Sequence, residues 1–376
     1  MKPTASKPSA RSAARLAAVA ALALCLGLVG CAPLVPSDGV TSAASGSPTT
    51  APAADSEPAQ AFGGDCSTVF SDADLGTALG APVTTSTAAS RGEAPAPYRS
   101  AVEAIGGLSC AWTANPAQNG ATEATVGAAA TVVVFAEKAV PNLDDSPPNC
   151  YASSAGGAAS ESCSFTSRSA GYVLSAVLTT APAPGQSEAD AQADATSAAR
   201  QVEAAFQKSA AAQQPMPAGA TIAGRWKIPG DCAALEQTAG VAAALASPGL
   251  VAFDGDSQSE APPGYYAALD ASGYRTCLWQ QQASPTPSGQ VSGFSIYVLP
   301  GGGWNLPAVE AIDGAADAAI PGVEKALLVP QDGADPVLQV FDGANWLMVQ
   351  SNVPGEPVED LYPAVTALVT ELNLSR

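Results

Sequence analysis

Residues 98–112, YRSAVEAIGGLSCAW, recur 167 positions later as residues 265–279, YYAALDASGYRTCLW. Six of the 15 positions are identical, and the Cys-x-Trp ending is among them. The Asp-Cys pair at 65–66 likewise returns at 231–232, at an offset of 166. Two blocks in the same order, at nearly the same offset, predict that the chain contains two tandem copies of one domain.

The first 30 residues have the pattern of an export signal. Basic residues without acidic ones precede an apolar run at 16–29, whose 14 residues are too few for an ordinary membrane span. The run ends in Gly30-Cys31, which resembles a bacterial lipobox, whose cysteine is lipidated and becomes the new N-terminus. An ordinary signal peptide followed by a chance cysteine is the alternative. We expect a lipoprotein anchored through acyl chains such as palmitate on Cys31, at the extracytoplasmic face of the cell membrane.

Composition restricts the classes of function. The formal charge is −19, and it becomes −23 if residues 1–30 are removed, because they hold four basic and no acidic side chains. This charge argues against nucleic acid and anionic lipid head groups as partners, since both are polyanions. The chain contains no histidine, which excludes Ser-His, Cys-His and histidine-metal chemistry.

Six cysteines follow residue 31, and an even number in an exported chain predicts disulfides. The repeat makes Cys66–Cys110 and Cys232–Cys277 equivalent bridges, which leaves Cys150–Cys163 as a bridge of the first copy alone. Pairing of the first two cysteines with the middle two is the alternative. The chain-entropy estimate gives about 4 kcal/mol for each long bridge and about 3 kcal/mol for the short one.

Each copy is expected to be an α+β domain, an antiparallel sheet packed against helices and stapled by a disulfide. A capped helix is predicted after Ser71, strand hairpins in the middle of each copy, and closing helices at 188–208 and 361–372. We predict these segments: signal peptide 1–30, lipidated cysteine and disordered tether 31–61, first domain 62–208, linker 209–219 and second domain 220–376.

The Asp-Cys start, the helix that follows it and the Cys-Ala-Trp segment at 110–112 resemble a family of actinobacterial lipoproteins with a Cys…Cys-x-Trp domain of unknown function. The resemblance covers both copies, although the helix motif is weaker in the second. It implies a membrane-tethered module without a known activity. The sequence is more distantly similar to the extracytoplasmic sensor domains of mycobacterial kinases, which implies binding.

Candidate sites are few. Asp72 and Asp74 suit the first turn of a helix better than a glycosidase-like acid pair. The acidic loop 254–260 could wrap calcium, but a flexible acidic loop is the simpler interpretation. Trp112 and Trp279 are expected in the core, whereas Trp304 follows three glycines and is the candidate binding residue; a loop tryptophan that covers a sheet edge is the alternative.

These patterns favour a non-catalytic, membrane-anchored module of the cell envelope that binds a ligand or a partner protein. We expect no catalytic residue, no metal and no cofactor, membrane lipid as a partner through Cys31, and no nucleic acid. The alternatives are a carboxylate-based hydrolase of envelope glycans and the solute-binding protein of a transporter.

Replacing the lipobox cysteine tests the anchor. We expect Cys31→Ser to release the protein from the membrane fraction or to leave it unprocessed, because the acyl chains supply the membrane affinity. Fractionation and electrophoretic mobility check this. A variant that fractionates and migrates like the wild type would contradict the anchor.

Overall fold

The computed structural model describes residues 57–86, 94–114, 128–153, 160–214, 216, 222–255, 261–282, 286, 289–331 and 333–376. These residues belong to one compact unit. The predictions for Cys31, the signal peptide and most of the tether lie outside this part of the chain. None of the helices within it has the length and apolar character that crossing a bilayer requires.

Two antiparallel sheets form the frame. The described residues give six strands in the first sheet, in the order β1-β2-β3-β6-β5-β4. These strands are β1 Val83–Ser86, β2 Leu108–Ala114, β3 Ala129–Ala136, β4 Ser146–Ser153, β5 Ser160–Ser169 and β6 Tyr172–Thr180. The turn between β5 and β6 holds Ala170 and Gly171 at positive φ, where the sequence predicts a turn.

The second sheet has seven strands among the described residues, in the order β10-β11-β12-β13-β9-β8-β7. They are β7 Leu250–Asp254, β8 Arg275–Gln281, β9 Gly293–Leu299, β10 Ala316–Asp317, β11 Lys325–Gln331, β12 Ala334–Asp342 and β13 Asn345–Ser351. Without the short β10, the strand order repeats that of the first sheet. A duplication would produce this match, and the duplication itself stays a prediction.

The described helices are α1 Cys66–Val69, α2 Asp72–Leu79, α3 Pro97–Ala104, α4 Glu188–Ala211, α5 Cys232–Ala239, α6 Val241–Ala244, α7 Pro263–Ser272, α8 Leu306–Glu310 and α9 Tyr362–Leu374. The predicted caps are confirmed: Ser71 accepts from the backbone N–H of Asp74, and Ser187 from that of Asp190. Pro363 lies in the first turn of α9, where the missing backbone N–H of proline has no intrahelical partner to lose. The mixed α+β class is therefore confirmed.

The three predicted disulfides are present: Cys66–Cys110, Cys150–Cys163 and Cys232–Cys277. Each long bridge ties the start of a helix to a strand, β2 or β8. The short bridge joins directly paired residues of β4 and β5. Trp112 and Trp279, which were expected in the core, are fully buried; each lies two residues after a bridged cysteine and so shares its face of the strand.

A carboxylate reaches each of these buried tryptophans. The indole N–H of Trp112 donates to Asp72 Oδ1 at 3.1 Å, and that of Trp279 donates to Glu236 Oε2 at 2.7 Å. Asp72 therefore does more than charge the start of α2, since it also satisfies a core donor. Asp72 is the first residue of α2, the second helix counted from Cys66, whereas Glu236 lies on α5, which begins at Cys232.

Helices α3 and α7 join the two sheets by crossing between them. Helix α3, from the first half of the chain, packs on β9 and β13 of the second sheet, and α7 packs on β5 and β6 of the first. The two helices also contact each other, and Tyr265 Oη donates to the carbonyl oxygen of Tyr98 at 2.7 Å. Each half therefore supplies a helix that covers part of the other half's sheet.

Gly264 sets how closely α7 approaches the first sheet. Its backbone N–H donates to Ser175 Oγ at 2.8 Å. A Cβ at this position would lie 2.6 Å from Ser175 Cβ and 3.1 Å from Leu143 Cδ2. A side chain here must push the helix away from the sheet.

We expect Gly264→Ala to destabilise the protein by about 1–3 kcal/mol, because overpacking at the helix–sheet contact outweighs the gain in helix propensity. Urea unfolding measures the change. Gly230→Ala is the matched control, since a Cβ there meets no described atom within 4 Å and its φ is not positive. Equal stabilities of the two variants would contradict the close approach.

Glu103 on α3 predicts a pH dependence of stability. Burial raises its pKa to about 7; the charge of Glu57 acts in the same direction, and a hydrogen bond with Ser100 opposes the shift. The unfolded side chain titrates near 4.5. The folded protein therefore binds a proton on Glu103 more tightly than the unfolded chain does. The stability gained from this protonation is complete below about pH 4.5 and is lost as the pH rises through about 7.

We expect Glu103→Gln to raise the free energy of unfolding by about 2 kcal/mol at about pH 8 and to change it little at about pH 4. Urea unfolding across this range is the measurement. Glu359→Gln, at an exposed glutamate, is the control and should show no such trend. Parallel pH profiles for Glu103→Gln and the wild type would contradict the prediction.

Candidate functional site

The two faces of the second sheet differ in how they are covered. One face packs on α5, α6 and α9 and forms a core that includes Trp279 and Phe294. On the opposite face, α3 and α8 cover one end, where Leu299, Phe341 and Trp346 are buried. The remainder of this face is the floor of a cleft of about 1220 Å³.

Side chains of four neighbouring strands form the floor in two rows. Strand register places Thr276, Tyr297, Met348 and Gln339 in one row across β8, β9, β13 and β12. The next row along the strands contains Leu278, Ser295, Gln350 and Val337, all of which line the cleft. Polar and apolar side chains are therefore mixed on the floor, and none of these eight carries a charge.

The walls of the cleft come from both halves of the chain. Residues 94–99, at the start of α3, supply Tyr98 and Arg99, whereas α7 supplies Tyr265 and Leu269. The Tyr98 ring lies 6.1 Å from the Tyr297 ring, centroid to centroid, at an interplanar angle of 55°. Phe253 of β7 lines the rim and is 42% exposed.

Burial favours the neutral form of three phenols in the cleft. Burial raises the pKa of Tyr265, Tyr274 and Tyr297 above the usual value for a phenol. Tyr265 donates its hydroxyl to a backbone carbonyl, and the hydroxyls of Tyr274 and Thr276 share a hydrogen bond of 2.6 Å. These rings offer aromatic surface and neutral hydroxyls to the cleft.

The charged side chains among the described lining residues are Arg99, Asp254 and Asp313. Arg99 donates from Nη1 to the carbonyl oxygen of Ala94 at 2.6 Å, and its guanidinium lies 5.1 Å from the centre of the Tyr98 ring. Asp254 Oδ1 accepts from the backbone N–H of Cys232 at 3.1 Å. Two of these charges thus already have partners at the walls, and the floor is neutral.

The corresponding face of the first sheet is closed. Helix α7 packs there, and Ala268 joins Val133, Phe135 and Val173 in a buried cluster with Val102 of α3. The crossed helices thus fill the face of one sheet and leave part of the other open. This asymmetry places the cleft in the second half of the chain, the half that also contains Trp304.

Trp304 lies outside the cleft lining. It belongs to a 3-10 helix over Gly303–Asn305, is half-buried, and its indole nitrogen is buried with no hydrogen-bond partner among the described residues. Neighbouring Asn305 contacts α3 through its Oδ1, which accepts from Ser100 Oγ at 3.2 Å. A role for Trp304 in binding stays a prediction.

Most of the acidic loop considered for calcium, residues 256–260, lies outside the described residues. Asp254 lines the cleft and Gly255 is described, but no group of three potential ligand residues for a metal ion is present in the described part of the chain. The structure therefore brings together Asp254 and the tyrosines, and it leaves Trp304 apart from them.

Sequence reasoning missed the cleft residues of β8 and β9, although a signal was present. In Thr276-Cys277-Leu278-Trp279-Gln280, the odd-numbered positions face the core and the even-numbered positions line the cleft. A half-polar strand face opposite an apolar face can indicate a binding floor as well as a solvated surface. The pattern alone could not show that α3 and α7 wall this face.

No family model matches the chain, and a search of curated proteins gives no significant match. Among solved structures, the chain has a faint similarity to the crystal structure of DynU16, a protein in the dynemicin biosynthetic locus. The two share 11% identity over 78% of this chain and 98% of that one, with a TM-score of 0.12. At this TM-score the similarity carries no argument about fold or function.

Proposed function

We propose that the protein is a lipid-anchored, extracytoplasmic binding protein of the cell envelope, and that the cleft on the second sheet holds its ligand. The observation that carries the proposal is the cleft itself, about 1220 Å³ in volume, with tyrosines on its walls and uncharged polar side chains on its floor. A concave site with aromatic lining and a few convergent polar groups is typical of small-molecule binding.

The cellular location rests on separate observations. The lipobox-like Gly30-Cys31 supports an anchor, and three disulfides support an oxidising compartment outside the cytoplasm. Both agree with a ligand encountered in the envelope. In this proposal the acyl chains retain the protein at the membrane, and the folded part binds.

Filling the cleft tests the proposal. Gln350 is exposed on the floor, so Gln350→Trp should occupy the cleft without disturbing the core beneath it. We expect the detergent-solubilised full-length protein to retain a small molecule from envelope extract. We expect Gln350→Trp to retain less of it, by about tenfold, because the indole competes for the same space. Native mass spectrometry detects the complex.

Gln201→Trp is the matched control, since Gln201 is exposed on α4 of the first half and does not line the cleft. This variant should retain the molecule like the wild type. The proposal fails if the wild type retains nothing, or if Gln350→Trp retains as much as Gln201→Trp.

A further inference from the structure

We infer that the ligand is a neutral oligosaccharide, an inference that rests on the proposed binding function and specifies the chemistry of the same cleft. Four tyrosines line it, Tyr98, Tyr265, Tyr274 and Tyr297. Pyranose rings have apolar C–H faces and a rim of hydroxyls. Aromatic side chains with neutral polar neighbours match both parts of such a ring.

The polar side chains of the floor suit hydroxyls. Thr276 and Ser295 carry hydroxyls, and Gln280 and Gln350 carry amides that both donate and accept. A sugar hydroxyl also donates and accepts, so the two amides can pair with it in either direction. The Ser295 hydroxyl donates to Asn352 Oδ1 and that of Thr276 is bonded to Tyr274, but both oxygens can still accept from a sugar hydroxyl. A lipid chain or another purely apolar ligand would cover the amides of Gln280 and Gln350 without supplying them with hydrogen-bond partners.

Charge argues against anionic ligands. The acidic side chains of the lining are Asp254 and Asp313, and the cation is Arg99, which already donates to the carbonyl oxygen of Ala94. The whole chain carries a formal charge of −19. A uronic acid, a phosphorylated sugar or a peptide carboxylate would meet an unfavourable field, whereas a neutral glycan would not.

The shape of the site suits an extended molecule. Gln280, Asp313, Pro330 and Gln350 line the cleft and are exposed to solvent, so one side of it is open. The floor spans β12, β13, β9 and β8, and the exposed Phe253 lies beyond them on the edge strand β7. A chain of several sugar units can lie across these strands with its ends in solvent.

Calorimetric titration of the full-length protein in detergent tests the ligand class. The probes are neutral oligomers of glucose, mannose and N-acetylglucosamine in both anomeric linkages, an oligogalacturonate as the anionic counterpart, and 1-naphthol as an uncharged aromatic without sugar hydroxyls. We expect at least one neutral oligomer to bind, and the oligogalacturonate and 1-naphthol to bind at least about tenfold more weakly.

Two cleft variants and one control locate the binding. Tyr297→Leu, which keeps apolar bulk, should weaken the neutral oligomer about tenfold. Gln280→Ala, at an exposed position with little influence on folding, should weaken it about threefold through loss of a hydrogen bond. Tyr151→Leu should bind like the wild type, because Tyr151 is 51% exposed on β4 of the first sheet.

The outcomes separate this inference from the function on which it rests. Binding of a neutral oligomer that both cleft variants weaken supports the inference. Tighter binding of the oligogalacturonate or 1-naphthol, lost in Gln350→Trp, overturns the ligand class and leaves the binding function standing. If no neutral oligomer binds, the ligand class is wrong, and the envelope-extract experiment decides the function by itself.

Discussion

The exchange of α3 and α7 between the two sheets is the contact on which the remaining architecture depends. Each helix comes from one half and buries apolar surface on the sheet of the other, while α3 also packs on its own sheet and α8 covers one end of the second sheet. The helices meet at the hydrogen bond from Tyr265 to the Tyr98 carbonyl. This arrangement closes the face of the first sheet on which the crossed helices pack, and it leaves the corresponding face of the second sheet partly open. The cleft is therefore a product of how the halves pack together.

Much of the local structure could be predicted because its causes are local. The capping residues Ser71 and Ser187 indicate where α2 and α4 begin. The alternation of apolar residues predicts the hairpins, and the repeat identifies the cysteine pairs. The crossing of α3 and α7 could not be predicted, since a short helix with small apolar residues fits either sheet equally well by pattern. Tertiary packing determines which sheet each helix covers. The close approach of Gly264 to Ser175 is such a contact, and it joins distant parts of the chain.

The tryptophan–carboxylate pairs show how the halves keep one interaction with different residues. Asp72 reaches Trp112 from the start of α2, whereas Glu236 reaches Trp279 from within α5. In the ungapped alignment of the repeat, these acids do not occupy equivalent positions. A buried indole N–H needs an acceptor, and the longer glutamate side chain supplies one from a different point along the helix. Comparison of the two sequences alone hides this equivalence.

The walls of the cleft belong to both halves, and this has a thermodynamic consequence. A ligand that touches both Tyr98 of the first half and Tyr297 of the second binds only while the halves are docked. Its binding free energy is therefore coupled to their association, and the coupling is reciprocal. Bound ligand would stabilise the docked halves by a free energy that grows with the logarithm of its concentration once this exceeds the dissociation constant, and a force that separates the halves would release the ligand. In the proposed membrane-anchored form, ligand binding would therefore respond to mechanical load on the folded part as well as to the supply of ligand.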